Sequence, residues 1–464
     1  MFQKVLVANR GEIAARIIRA LRELGITSVA IFSEADRHAL HTELADEAIC
    51  IGPAKGLDSY ANPVAVLSAA NVTGADAIHP GYGFLSERSD FAALCEEMNI
   101  KFIGLDSHII RDMGNKQNAR TTMDEAGVPI VPGGKDLVQD IDEARVIAEK
   151  IGYPLMIKAA DGGGGKGMRL ASSADELEAK FQQAQNETQS IYGNQHLYIE
   201  RTIYPAKHIE VQLLADEHGN VIHLGERDCS LQRNNQKVIE FAPSPTLSEK
   251  TRTKICEAAV KAAETIGYTN AGTIEFLVDE DENFYFMEMN TRLQVEHPIT
   301  EMITGVDIVQ AQIEIAAGKP LELKQSEIKF DGFAIECRLN AEDPYNNFQP
   351  SSGYVDRIFL PNGGMGLRVE TALYSDYMLP PFYDSMAAKI ITHQPTSKAA
   401  FTLMQRALYE VTVEGIHTNI DLLEALINHP DVQADNIHAK WLEEEFMPNW
   451  LNDTETELSD ASAK

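Results

Sequence analysis

Hydrophobic positions in the first hundred residues fall into short apolar runs separated by amphipathic stretches. Residues 5–8, 29–32, 75–78 and 102–103 are runs of strand length. Residues 12–24 carry apolar side chains at helical spacing and stop at Gly25. Apolar strands alternating with helices mark a parallel sheet covered on both faces. The segment therefore predicts a doubly wound, Rossmann-like sheet. Its first turn, Asn9-Arg-Gly-Glu-Ile-Ala14, lacks the three glycines of a dinucleotide fingerprint, so NAD and FAD do not follow. His79-Pro-Gly-Tyr-Gly-Phe-Leu-Ser-Glu87 lies at a strand's carboxyl end, where such sheets bind ligands.

The pattern changes at 127–134, a stretch punctuated by Pro and Gly. A helix is predicted over 141–151 and a strand over 153–158, ending in Lys158. Five glycines follow, Gly162 to Gly165 in succession and then Gly167 after Lys166. No Gly-Lys-Ser/Thr closes the run, so it is not a P-loop. Backbone N–H groups of such a loop can curl around phosphate, with Lys158 and Lys166 supplying charge. Residues 131–204 read as a separable, mobile lid ending in a strand over 197–203 that carries Glu200. Beyond it His208, Glu210 and Gln212 alternate on one strand face, and Arg227 to Lys237 is a dense polar stretch between two strands.

The most informative pattern is a hairpin. Strands over 272–278 and 284–290 flank the polar turn Asp279-Glu-Asp-Glu-Asn283. Strict alternation puts Phe284, Phe286, Glu288 and Asn290 on one face. The turn sets Glu275 opposite Glu288, where like charges about 5 Å apart repel unless a cation lies between them. Oxygen ligands from Glu275, Glu288 and Asn290 suit Mg²⁺ or Mn²⁺ better than Zn²⁺. Arg292, Gln294 and Glu296 then follow at spacing two, aligning a cation, an amide and a carboxylate. A helix is predicted over 300–317. In a strand over 333–339, Glu336 and Arg338 share a face. The loop 380–386 leads to a strand over 387–392, and helices over 397–412 and 418–428 complete an α+β region.

The length, 464 residues, exceeds one core and predicts several domains. The boundaries expected are 1–114, 115–330 with the lid, 331–447, and an acidic, apolar-poor tail over 448–464. A formal charge of −30 argues against nucleic acid and anionic membranes as partners. No apolar run reaches membrane-spanning length. The N-terminus has no signal character, and the five cysteines are scattered, so a cytoplasmic protein with reduced thiols is expected.

Taken together, the glycine loop, the Glu275/Glu288/Asn290 hairpin and the run Glu288-Met-Asn-Thr-Arg292-Leu-Gln-Val-Glu-His-Pro298 resemble the ATP-grasp ligases. With Asn9–Ala14, His79–Glu87 and Arg227-Asp-Cys-Ser, the chain from residue 2 to about 447 resembles the biotin carboxylase component of biotin-dependent carboxylases. The resemblance implies ATP, Mg²⁺ or Mn²⁺, bicarbonate and biotin as reactants or cofactors. It implies nucleotide contacts from Lys116, Lys158, Gly163, Gly164, Gly165, Lys166, Gly167, Glu200, the Arg201 backbone, Ile203, His208, Gln232 and Asn235, with Glu275 and Glu288 bridging phosphates through metal. It implies a bicarbonate pocket of Lys237, Arg292, Gln294 and Val295, with Glu296 as base and Arg338 stabilising the biotin enolate. Two positions depart from the family: Arg201 stands where Lys is common, and Asn235 where His is common.

The resemblance further implies a homodimer touching through Arg16, Arg19, Glu23 and Arg368. No biotinylated Met-Lys-Met segment occurs, so biotin is expected on a separate carrier protein, with carboxyltransferase subunits as further partners. Acetyl-CoA carboxylase, giving malonyl-CoA for fatty-acid synthesis, is the expected assembly; pyruvate and propionyl-CoA systems compete with it. Another ATP-grasp ligase joining a carboxylate to an amine is a second reading, and a nucleotide-binding scaffold without turnover a third. The Arg292-to-Glu296 run and the last domain disfavour the second. The presence of Glu275, Glu288, Arg292, Glu296 and Arg338 disfavours the third.

Overall fold

The computed structural model of the chain describes residues 1–134, 137–160 and 167–451. The glycine run from 162 to 165, Lys166 and residues 452–464 of the acidic tail lie outside the described residues. The N-terminal strands form a five-stranded parallel sheet in the order Glu47–Gly52, Thr27–Ser33, Lys4–Val7, Ala77–His79, Lys101–Phe102. Val5, Leu6 and Val7 are all fully buried, as a strand covered on both faces requires. Helix Gly11–Glu23 packs Ile13, Ile17, Ile18 and Leu21 against the sheet. The turn Asn9–Glu12 thus emerges at the carboxyl end of the first strand, facing a central cavity.

His41 is buried within this unit, its Nε2 bonded to the Ile31 carbonyl at 3.1 Å. Burial, with Asp36 opposing and Arg10 adding, lowers its imidazole to about 4. A folded-state pKa below the unfolded value of about 6.5 means that stability is fully present above the latter and is lost as pH falls toward the former. The stability deficit of His41→Gln relative to wild type should therefore narrow by about 2 kcal/mol between pH 7 and pH 5. Denaturant unfolding at both pH values checks this; a deficit of constant size contradicts it.

The second sheet is the spine of the molecule. Its eight strands run in the order Phe284–Asn290, Asn270–Asp279, Ala206–Ala215, Val221–Arg233, Gln236–Ala242, Phe333–Asn340, Met386–Gln394, Leu367–Thr371, all neighbours antiparallel. The last three come from beyond residue 330, so the central hairpin and Arg338 belong to one continuous surface. The predicted lid has its own three-stranded sheet, Met168–Ala171, Leu155–Ala159, Leu197–Arg201, backed by helices Ile141–Ile151 and Ala174–Tyr192. Leu155, Ile157, Leu177, Phe181 and Ile199 give it a separate small core.

Three sequence expectations need correction. The helix expected over 300–317 is two helices, His297–Thr304 and Ile308–Ala316. Gly305, at φ 70°, caps the first, and the Asp307 carboxylate accepts from the Gln310 N–H to start the second. The polar stretch from Arg227 is not a connection: residues to Arg233 lie in strand Val221–Arg233, with Arg227 and Asp228 fully buried. Finally, the hairpin face breaks. Glu275 does pair with Glu288, but Phe276 pairs with Phe286, leaving Met287 as an extra residue. This bulge swaps the alternation. Phe284, Phe286 and Met289 join the core, Phe286 also reaching the cavity, while Glu288 and Asn290 line the cavity.

Candidate active site

A cavity of about 970 Å³ lies between the first turn of the parallel sheet, the lid and the eight-stranded sheet. Every predicted site residue among those described lines it, except Gly167. Gly167, at φ 71°, opens the strand pairing with Lys158; a Cβ there would come within 2.9 Å of Ala159.

The floor is a row of charges set by strand register. Glu288 pairs with Glu275, Glu275 with Glu210, and Glu210 with Arg227 across four strands. Such neighbours hold their Cβ atoms about 5 Å apart on one face. Arg227 Nε donates to Glu210 at 2.5 Å. Lys237 reaches over the row to Glu210 at 2.6 Å, Glu275 at 3.1 Å and Glu296 at 2.5 Å. His208 Nε2 lies 3.1 Å from the second Glu275 oxygen. Burial pushes the Glu275 carboxyl up, but Lys237 and then His208 outweigh it and hold it far below the usual range. Glu288 is less well served: its ion-pair partner, Lys116, stands 3.9 Å away. Burial and then the Glu275 charge raise its carboxyl. This under-neutralised carboxylate beside Glu275 fits a divalent cation. Ligand-type atoms of His208, Glu210 and Glu275 also lie within 4.8 Å of one another, so Glu210 joins the cluster that sequence reasoning assigned to Glu275, Glu288 and Asn290.

Asn290 and Gln294 both donate to Glu275, at 2.8 and 3.2 Å. Arg292 bonds Glu87, Asn290 and Gln294, each at 3.0 Å, which fixes its guanidinium over the carboxylate row. Glu296 precedes helix His297–Thr304 and is fully buried. Its two oxygens meet Lys237 at 2.5 Å and Arg338 at 2.9 Å. Burial would raise this carboxyl; Lys237, Arg338 and Arg227 overcome that and keep it well below its ordinary value. Arg338 is clamped from the other side by Glu240, whose oxygen accepts from its Nε at 2.6 Å. The Val295 carbonyl accepts from Lys389 at 3.0 Å, and Lys389 in turn pairs with Glu12 at 3.1 Å.

At the lid end Lys158 is bonded to Glu200, which Arg120 also meets at 3.3 Å. The Arg201 N–H is already taken by the Pro132 carbonyl at 2.7 Å, while Ile203 forms part of the wall. Gln232 donates to His208 Nδ1 at 2.8 Å, leaving Nε2 to carry its hydrogen toward Glu275. Asn234 and Asn235, at φ 50° and 62°, make the tight turn between Val221–Arg233 and Gln236–Ala242. Two consecutive left-handed residues suit Asn, so Asn235 has a backbone reason as well as a place at the cavity.

A smaller cleft lies on the outer face of helix Gly11–Glu23. Arg16 there reaches Glu301 at 3.0 Å and Asp307 at 2.8 Å, Arg19 reaches Glu370 at 3.3 Å, and Arg368 reaches Glu301 at 2.7 Å. Glu23 accepts from Gln310 at 2.7 Å. The sequence-derived dimer residues are thus gathered on one surface.

Models of three known domains match the chain in succession: the N-terminal domain of biotin carboxylase over residues 1–110, the ATP-binding domain of carbamoyl-phosphate synthase L chain over 115–324, and the biotin carboxylase C-terminal domain over 336–444. Biotin carboxylase 1 of Bacillus subtilis is 52% identical over 444 residues, covering 96% of this chain and 98% of that protein. The chain belongs to the biotin carboxylase family. These are ATP-dependent carboxylases of the ATP-grasp ligase type. The 2-oxoglutarate carboxylase small subunit of Hydrogenobacter thermophilus is 50% identical, with 96% of this chain and 94% of that one covered. A crystal structure of the biotin carboxylase domain dimer of that organism's 2-oxoglutarate carboxylase, in complex with MgADP, ADP and bicarbonate, superposes with a TM-score of 0.90 at 49% identity. It covers 96% of this chain and 98% of its own. The relatives of this chain thus include a subunit of a 2-oxoglutarate carboxylase.

Sequence reasoning missed Glu210, Arg227, Glu240, Lys389 and Glu12. Glu210 left a signal in its alternation with His208 and Gln212 on one face, and Arg227 and Glu12 lay inside motifs of the family resemblance without a role being read from them. Glu240 and Lys389 act through partners remote in sequence.

Proposed function

We propose that the protein carboxylates biotin, held on a carrier protein, with bicarbonate and ATP through carboxyphosphate. The observation that carries this is Glu296, buried and held ionised between Lys237 and Arg338. Bicarbonate binds against Lys237, Arg292, Gln294 and the Val295 backbone. Glu296 takes its proton, and a bicarbonate oxygen attacks the γ-phosphorus of ATP, releasing ADP. Carboxyphosphate then breaks its C–O bond to give CO₂ and phosphate. The released phosphate takes the ureido N–H proton of biotin, Arg338 stabilises the oxyanion that develops on the ureido group, and the nitrogen bonds to CO₂. Lys116 and Lys158 hold the nucleotide phosphates, and His208, Gln232, Glu200, Arg201, Ile203 and Asn235 line the rest of its pocket. Lys158 must leave Glu200 to do so. Glu275, Glu288 and Asn290, with Glu210 behind them, would hold Mg²⁺ or Mn²⁺, which supplies charge neutralisation at the phosphates.

Acetyl-CoA is the final acceptor we infer, with carboxyltransferase subunits as partners and a cytoplasmic homodimer built on the Arg16, Arg19, Glu23 and Arg368 surface. Among the described residues no helix is long and apolar enough to cross a membrane.

The carboxyphosphate step is tested with ¹⁸O-labelled bicarbonate. One labelled oxygen should appear in the released phosphate, because the bond broken is on carbon. Unlabelled phosphate would overturn the mechanism.

A further inference from the structure

We propose that Glu336 is a neutral carboxylic acid that donates its hydrogen to the free oxygen of Glu240, so that the two carboxyls together carry one negative charge and hold Arg338 in place. The inference rests on the reading that Arg338 acts on biotin. It makes Glu240 a positioning residue and Glu336 the group that sets its charge.

Glu240 and Glu336 stand directly opposite each other on strands Gln236–Ala242 and Phe333–Asn340. Directly opposed residues project to the same face. Both are fully buried. One Glu240 oxygen takes Arg338 Nε at 2.6 Å and a terminal nitrogen at 2.5 Å. The other Glu240 oxygen and both Glu336 oxygens have no partner among the described residues. The cations that face Glu336 are spoken for. Arg338 is divided between Glu240 and Glu296. Lys389, opposite Arg338 on the next strand, gives hydrogens to the Val295 carbonyl and Glu12 and bonds neither Glu336 oxygen.

A buried carboxylate without a donor is too costly to persist, and two carboxyls side by side do not both ionise. The one that grips the guanidinium keeps the charge. Burial raises the Glu336 carboxyl well above its ordinary value, Lys389 and Arg338 opposing and Glu240 and Glu296 adding. Burial likewise raises Glu240, to about 7, with Arg338 opposing. Of the three acid oxygens without a partner, one shared hydrogen joins two, the Glu336 hydroxyl and the free Glu240 oxygen. An ionised Glu336 would instead draw Arg338 away from the cavity.

The test compares Glu336→Gln, Glu336→Met and Glu240→Gln with wild type in the full-length protein. The amide introduced by Glu336→Gln keeps a donor toward Glu240, so carboxylation of free biotin should stay within ~3-fold of wild type, as one neutral donor to the Glu240 carboxylate replaces another. The infrared carbonyl band of a carboxylic acid at pH 8 should weaken in the same variant. Glu336→Met fills the volume without a donor and should lose carboxylation. In Glu240→Gln the fall in biotin carboxylation should exceed the fall in biotin-free, bicarbonate-dependent ATP cleavage by at least ~10-fold, since only the Arg338 step loses its anchor. The inference is overturned if Glu336→Gln leaves the band unchanged, if it falls as far as Glu336→Met, or if Glu240→Gln lowers both activities equally. A wild-type protein that makes no carboxybiotin would defeat the proposed function instead, and the infrared comparison would still decide the state of Glu336.

Discussion

Glu296→Gln should lower bicarbonate-dependent ATP cleavage by at least ~10²-fold, the usual contribution of a positioned general base. The KM for ATP should stay within ~3-fold, because the interaction lost is made to bicarbonate and its transition state. The fold should survive, since Gln keeps the volume and one oxygen. The effect is electrostatic. Glu296 is wholly buried, yet Lys237 at 2.5 Å and Arg338 at 2.9 Å keep it ionised. An amide there neither accepts the proton of bicarbonate nor compensates the two cations. Calorimetric unfolding, nucleotide binding and a coupled ADP assay together separate this from misfolding. Near-normal turnover in a folded Glu296→Gln protein would remove Glu296 from the chemistry.

The second large effect is at Lys237. Its ammonium touches Glu210, Glu275 and Glu296 and is the cation all three share. Lys237→Gln should raise the apparent KM for bicarbonate or lower turnover by at least ~10²-fold, the scale of losing one preorganised charge in a closed site. Asn235→His, two residues away, should shift ATP affinity by less than ~10-fold, because one neutral hydrogen bond is worth about 1 kcal/mol. The backbone adds a condition at this position. Asn235 has φ 62°, a conformation that the short polar side chain of Asn supports by local hydrogen bonding better than His does, so the variant should also be slightly less stable. Bicarbonate-dependent ADP release with free biotin distinguishes the two. If Lys237→Gln behaves as wild type while Asn235→His collapses, the bicarbonate pocket lies elsewhere.

What could be read from the sequence was what depends on near neighbours. Val5, Leu6 and Val7 are apolar on both faces because their strand is covered on both faces, and that pattern is visible in the chain itself. The pairing of Glu275 with Glu288 followed from the turn between them. The bulge at Met287 did not, because nothing in an alternating stretch announces an extra residue. Gly305 had the chemistry of a helix stop but stood inside a long apolar periodicity, which masked it. The largest difference is physical. Polarity alone places Arg227 and Asp228 between strands, whereas Arg227 is buried because Glu210, Gln212, Thr273 and Thr300 surround its guanidinium. Burial of a charge depends on partners brought by other segments. Glu240 lies 98 residues from Arg338, and Lys389 lies 94 from Val295. Local patterning carries no information about such pairs.

The central claim is that this chain joins bicarbonate to biotin at the expense of ATP. The direct measurement is incorporation of ¹⁴C from labelled bicarbonate into free biotin by the purified protein with MgATP. The expected product is an acid-labile labelled biotin whose formation stops when ATP, bicarbonate or the divalent cation is withheld and is abolished in Arg338→Gln. ATP hydrolysis that proceeds at full rate without bicarbonate, with no label on biotin, would contradict the claim.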